Sequence, residues 1–291
     1  MRTSWTGVGT ALVTPFKSNG DVDEVAFRKL ARRQVDAGIH FLVPCGTTGE
    51  TPTLSATERR RLVEISIEEA GTKALVLAGA GGYNTAEVIH AVEAFEKLGA
   101  HGILSVTPYY NRPTQEGLYQ HYKAIAASTA LPIILYNVPG RTGCNIEPAT
   151  VIRLAAVDGI VGVKEASGNI SQMAEIIRNV PSDFVVLSGD DAITLPIMSL
   201  GGRGIVSVIS NEMPAEMVQM VEAVERGDFA AARVIHNRLL PLMQINFVES
   251  SPGPVKFAMA EMGLLEANYR LPMVLPSEAS QTRIKNVLKG L

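Results

Sequence analysis

A lysine closes the apolar run GIVGVKEAS at residues 159–167, and a glutamate follows it. A charge in an apolar interior is costly unless it is paired. Two readings therefore stand side by side: Lys164 is a solvated strand-end residue paired with Glu165, or it is an amine held for chemistry. The chemistry open to such an amine is Schiff-base catalysis, in which a lysine condenses with a ketone and the iminium withdraws electrons from the neighbouring carbon. The attacking amine must be partly neutral, and burial acts in that direction because it disfavours the charged form. A phenol nearby can move protons to and from the carbinolamine, hydroxyls can relay them or bind a carboxylate, and a guanidinium can clamp a second carboxylate.

Such groups act together only if the fold brings them together. Short apolar runs alternate with amphipathic segments along most of the chain, the pattern of βα units around a parallel sheet. The runs are GVGTALVTPF (7–16), IHFLVPCG (39–46), KALVLAGAG (73–81), HGILSVTPY (101–109), LPIILYNV (131–138), GIVGVKEAS (159–167), FVVLSGDD (184–191) and RGIVSVIS (203–210). Eight such runs, rich in Val, Ile and Leu, predict an α/β fold closed as a (β/α)8 TIM barrel, with a doubly wound open sheet as the alternative. Ser55 with Glu58 reads as a capping box, and Asn84 with Glu87 resembles one. After residue 210 no strand pattern returns; 214–226, 228–246, 254–265 and 277–289 read as helices, and Pro254 suits a first helical position. The expected division is a catalytic barrel over 1–224 and a C-terminal helical extension over 225–291.

The active site of such a barrel lies at the C-terminal ends of its strands. Those ends carry Thr47, Thr48 and Glu50, then Tyr109 and Tyr110, then Tyr136 and Asn137 with Arg141 just beyond, then Lys164, and last Gly189, Asp190 and Asp191. An amine, several phenols, paired hydroxyls and a guanidinium would converge on one mouth.

Composition narrows the function classes. The 291 residues are 46% hydrophobic and 19% charged with a net charge of −3, an ordinary globular balance. No basic stripe argues for nucleic acid or an anionic membrane surface, and no apolar run approaches the ~20 residues that span a bilayer. Cys45 and Cys144 are outside any CxxC pattern and read as free thiols in a reducing, cytoplasmic compartment. AGAGGYN (78–84) fails the GxGxxG spacing at Asn84, and the five histidines lack metal-ligand spacing, so neither a dinucleotide nor a metal is expected. Asp190 and Asp191 read as a helix cap. The Schiff base is its own electron sink, and no cofactor is expected.

Five motifs occur in order: GTTGE (46–50), TPYYNRP (107–113), YNVPGRTG (136–143), GVKEASG (162–168) and LSGDD (187–191). With them the chain resembles the dihydrodipicolinate synthase family over nearly its whole length. The resemblance implies a pyruvate-dependent class I aldolase on a TIM barrel, a homotetramer built as a dimer of dimers. Such enzymes condense pyruvate with L-aspartate 4-semialdehyde in lysine and diaminopimelate synthesis. It further implies that Lys164 forms the Schiff base, that Tyr136 exchanges protons, and that Thr47 and Tyr110 complete a relay, Tyr110 entering from the neighbouring subunit. Thr48 and the backbone at Val206 would contact pyruvate, with Gly189 nearby, and Arg141 would receive the carboxylate of the semialdehyde.

Sugar-acid lyases of the same superfamily share the lysine and tyrosine but do not generally carry VPGRTG, so Arg141 favours the synthase over them. A non-catalytic pyruvate-binding barrel would lack a relay residue, and none is missing. In lysine-inhibited members an interface cleft binds lysine. Glu87 and Tyr109 match that cleft and Thr51 nearly does, whereas Ala56 and Arg59 replace histidines and Tyr83 replaces an asparagine. An added guanidinium near a cationic ligand is unfavourable, and weak or absent inhibition by lysine is expected.

Overall fold

Alternation of side chains along eight short strands sets the architecture of the computed structural model, which describes residues 5–291. The chain runs β1 (Gly7–Ala11), α1 (Glu24–Asp36), β2 (Phe41–Val43), α2 (Ala56–Ala70), β3 (Leu75–Gly79), α3 (Thr85–Leu98), β4 (Gly102–Val106) and α4 (Gln115–Ala126). It continues through β5 (Ile133–Asn137), α5 (Pro139–Thr142), α6 (Pro148–Leu154), β6 (Ile160–Glu165), α7 (Ile170–Asn179), β7 (Val185–Ser188), α8 (Thr194–Ser199) and β8 (Gly204–Ser207). Four helices follow: α9 (Pro214–Glu225), α10 (Phe229–Ile245), α11 (Gly253–Glu261) and α12 (Glu278–Lys289). Each strand pairs in parallel with the next, and β8 pairs with β1 through Gly7↔Gly204 to Thr10↔Ser207, closing the barrel and excluding an open sheet.

Inward residues Phe41, Leu77, Leu104, Ile134, Leu187 and Val206 fill the barrel. Outward neighbours such as Leu42, Val76, Ile103, Leu135, Val163 and Ile205 pack beneath the helices. Each fully buried Leu, Ile or Phe contributes roughly 1.5–3 kcal/mol. The Phe41 ring crosses the interior and meets Trp5 edge-on at 5.5 Å. A Cβ at Gly9 would lie 2.0 Å from that ring, so the glycine of β1 makes room for the phenylalanine of β2.

The β5–β6 ladder is irregular at its start: Ile133 faces Ile160 but Ile134 faces Gly162, leaving Val161 as an extra residue on β6. Beyond it the register is Leu135↔Val163, Tyr136↔Lys164 and Asn137↔Glu165.

Ser55 and Glu58 cap α2 reciprocally, Ser55 N–H donating to Glu58 Oε2 (2.8 Å) and Glu58 N–H to Ser55 Oγ (3.2 Å). Asn84 caps α3 differently, accepting from Ala86 N–H, while Glu87 lines a cavity described below. Pro254 lies in the first turn of α11, which begins one residue earlier at Gly253. After β8, α10 packs on α9, and α12 on α10 and α11. Val255 and Met259 of α11 cover Val13, Leu30 and Val208 at the mouth side of β1 and β8. Lys256 of α11 is fully buried and pairs with Glu50 at 2.6 Å, tying the C-terminal helices to the loop after β2.

Candidate active site

Lys164 and Glu165 are the only charged residues in the eight strands, and period-two alternation sends them to opposite faces. Lys164 is 5% exposed, and its Nζ lies 4.0 Å from the centre of the Tyr136 ring. The Glu165 carboxylate is fully buried on the outer side, held by Asn137, Ser167 and Gln172. A solvated Lys164–Glu165 ion pair at the strand end is therefore not what the sequence builds. A Cβ at Gly189 would come within 3.0 Å of Lys164 Cε, so the glycine after β7 leaves the space the lysine stem occupies.

The loop after β2 is wound tightly so that Thr47 and Thr48 follow the strand end. Gly49 N–H donates to Gly46 O, Glu50 N–H to Thr47 O, and the Thr51 hydroxyl to Gly46 O. Cys45 and Glu50 both take left-handed backbone (φ 59 and 54), strain that the surrounding hydrogen bonds hold in place. Thr48 is buried and Thr47 half-buried.

After β4 the segment 107–113 carries two further left-handed residues, Tyr110 (φ 69) and Arg112 (φ 44). The turn throws the Tyr110 side chain outward, leaving the residue 91% exposed. Its neighbour Tyr109 turns back and meets Tyr83 edge-on at 5.2 Å. Burial and the adjacent Tyr83 push the Tyr109 phenol above its usual range.

Arg141 sits in the short helix α5 and donates to Ser251 O (3.1 Å). Beside it the Thr142 hydroxyl receives a hydrogen bond from Thr107 (3.2 Å), joining the ends of β4 and β5. A cavity of about 740 Å³ is lined by Thr47, Tyr136 and Arg141 at one part of its wall, and by Thr51, Tyr83, Glu87 and Tyr109 with Arg59 at another. Lys164, Thr48, Gly189 and Val206 lie outside that lining. Val206 is fully buried on β8 and pairs with Gly9.

Not every polar strand end opens into this mouth. Glu50 turns to Lys256, and Asn137 faces outward with Glu165. Asp190 does cap, accepting from Ala192 N–H, but Asp191 is fully enclosed and accepts from the Ser207 hydroxyl (2.6 Å) and the N–H groups of Val208 and Ile209. Burial lifts the Asp191 carboxyl to about 6 against those donors. Burial likewise pushes the Cys45 thiol up to about 12 and raises that of Cys144. The Thr107–Thr142 contact and the outer network on Glu165 went unread in the sequence; the period-two phase of β5 and β6 is the signal that could have found the second.

Among the described residues no group of three or more His, Cys, Asp or Glu side chains could hold a metal ion, and no helix is long and apolar enough to cross a membrane.

The model of the Dihydrodipicolinate synthetase family matches residues 4–291. The chain is 51% identical over 282 residues to a 4-hydroxy-tetrahydrodipicolinate synthase of Koribacter versatilis (strain Ellin345), covering 97% of this chain and 94% of that one. A solved monomeric variant of dihydrodipicolinate synthase superposes with a TM-score of 0.97 at 45% identity, covering 99% of this chain and 97% of the other. The lysine-bound enzyme of Cyanidioschyzon merolae gives 0.96 at 40% identity, covering 99% of each chain.

Proposed function

The chain belongs to the dihydrodipicolinate synthetase family, and we infer that it is a 4-hydroxy-tetrahydrodipicolinate synthase, condensing pyruvate with L-aspartate 4-semialdehyde. Lys164 attacks the ketone carbon of pyruvate, and the carbinolamine loses water to give an iminium. Its methyl carbon then loses a proton to become the enamine nucleophile. That carbon adds to the aldehyde, and the amino group of the semialdehyde displaces Lys164 from the imine carbon, closing the six-membered ring and freeing the lysine.

In this reading Tyr136 moves the protons, relayed by Thr47 and by Tyr110 of a neighbouring copy. Thr48, Gly189 and the Val206 backbone receive pyruvate, and Arg141 holds the semialdehyde carboxylate. The observation that carries it is Lys164, the one charge on the inward face of the strands, seated over the Tyr136 ring. The 91% exposure of Tyr110 supports its use in a partner's site, and so a homotetramer built as a dimer of dimers. Two free, buried thiols support a cytoplasmic setting. The cavity wall of Thr51, Tyr83, Glu87 and Tyr109 stands as the counterpart of a lysine cleft, with Arg59 on it disfavouring a cationic effector.

Pyruvate consumption by the purified protein against L-aspartate 4-semialdehyde, N-acetylmannosamine and glyceraldehyde tests the assignment. Turnover with the semialdehyde alone is expected; turnover only with the sugar aldehydes would replace the synthase with a sugar-acid lyase.

A further inference from the structure

Glu165 has no part in the chemistry above, yet it is the most heavily engaged carboxylate of the barrel wall. Its Oε1 accepts from Ser167 N–H (2.7 Å), its Oε2 from Gln172 Nε2 on α7 (3.0 Å), and Asn137 Nδ2 lies 3.2 and 3.1 Å from the two oxygens. Asn137 is its register partner, one residue beyond Tyr136, as Glu165 is one residue beyond Lys164. Asn137 Nδ2 also reaches Asn145 Oδ1 (2.8 Å), and Asn137 Oδ1 accepts from Ile146 N–H (3.0 Å). Asn145 and Gln172 exchange amide hydrogen bonds at 3.0 and 3.2 Å. β5 and α7 thus meet on one carboxylate of β6, and the segment 138–146 that carries Arg141 is tied to it through Asn137 and Gln172.

We propose that Glu165 is the positioning residue of this site: from outside the barrel it fixes the spacing of β5 and β6 where Tyr136 faces Lys164, and through Asn137 and Asn145 it holds the Arg141 segment. Glu165 acts through these neighbours and touches no reacting atom. The inference rests on Lys164 being the Schiff-base amine. Every contact of Glu165 is one in which it accepts, so an amide of the same shape would set a donor against a donor in a buried place. The strands would relieve that conflict by shifting, and a shift of about 1 Å between reacting groups costs on the order of a hundredfold in rate.

The test uses the unmodified protein, Glu165→Gln and Gln172→Ala, each incubated with pyruvate and borohydride well below its unfolding midpoint. The reduced adduct is mapped to Lys164 by mass spectrometry over time, alongside steady-state kinetics. Glu165→Gln is expected to unfold cooperatively yet trap pyruvate about tenfold or more slowly, with kcat falling by a similar factor and the pyruvate KM moving far less. Gln172→Ala, which removes one of the donors, should show the same split at about threefold. A cooperatively folded Glu165→Gln with the parent's trapping rate overturns the proposal. Should Glu165→Gln fail to fold, a parental trapping rate in Gln172→Ala overturns it and the threefold loss supports it. An unmodified protein that traps no pyruvate on Lys164 removes the active-site reading itself, and this inference with it.

Discussion

The amine of Lys164 lies 4.0 Å above the ring of Tyr136, its register partner on the adjacent strand. An ammonium is attracted to a phenol face, and the neighbouring strands hold the pair side by side inside the barrel. Lys164→Ala should abolish both turnover and borohydride trapping of pyruvate. Tyr136→Phe keeps the ring against the lysine but removes the hydroxyl to which the proposed mechanism gives the proton transfers, so it should fold normally and lose about 10²–10⁴ in kcat. Full turnover by Lys164→Ala would refute the covalent mechanism.

Tyr110 should cost activity without costing stability. Because the residue is 91% exposed, Tyr110→Phe is expected to unfold within about 0.5 kcal/mol of the parent while losing most of its rate. If the hydroxyl serves a neighbour's site, co-refolding Tyr110→Phe with Lys164→Ala should rebuild intact sites from two defective chains, to about a quarter of parental activity for random pairing into symmetric dimers. Activity no higher than the sum of the separate variants would argue against a shared site.

Arg141 is held at the mouth by a single hydrogen bond to Ser251 O, leaving the rest of its fork available to a carboxylate. Arg141→Leu should raise the KM for L-aspartate 4-semialdehyde by about tenfold or more, the expected loss for a charge-assisted pair, with the pyruvate trapping rate unchanged. A loss confined to pyruvate would move Arg141 to the other substrate.

Lysine should be a poor inhibitor. Arg59 lines the same cavity wall as Glu87, Tyr83 and Tyr109, and its positive charge opposes a second cation. Titrating lysine at fixed substrate concentrations is expected to leave activity intact through the sub-millimolar range; half-inhibition there would show that Arg59 swings away from the ligand.

Acid sensitivity should trace in part to Glu58. Hydrogen bonds from Arg270, and then from Ser55, hold its carboxyl at about 2 against an ordinary 4.5. The unfolded chain therefore binds more protons between those values, so this contribution is complete above pH 4.5 and is lost as pH falls toward 2. Urea midpoints of the parent and Arg270→Met should differ most at pH 5 and converge as the pH is lowered. A gap that stays constant over pH 5 to 3 would assign the effect to packing of Arg270 on Phe16, 4.4 Å from the guanidinium carbon, instead of to charge.

Much of this was legible in the chain. Each strand falls inside a Val-, Ile- and Leu-rich run, because a parallel sheet covered on both faces leaves no polar alternation to blur the signal. Lys164 stands out as a lone charge closing such a run. What pairs with what across space is less legible. Glu50 reads as a mouth residue because it follows Thr47 and Thr48, whereas its partner Lys256 lies 206 residues away. Asp191 reads as a cap beside Asp190, but the hydroxyl it binds ends β8 and the N–H groups belong to the turn after it. Local pattern gives a residue's neighbours along the chain, and these roles are set by neighbours across the barrel.

The extra residue Val161 at the start of β6 changes the parity of that strand. Were Val161 paired in turn instead of bulged, counting from Ile133↔Ile160, Tyr136 would face Val163, and Lys164 would stand opposite Asn137 on the outside of the barrel. Pairing the same sequence without the bulge would turn the end of the strand inside out, lysine into the wall and valine into the site, whereas deleting Val161 itself would leave Gly162 against Ile134 and Lys164 still opposite Tyr136. The face that the Lys164 amine takes is thus set by an odd or even count along the ladder.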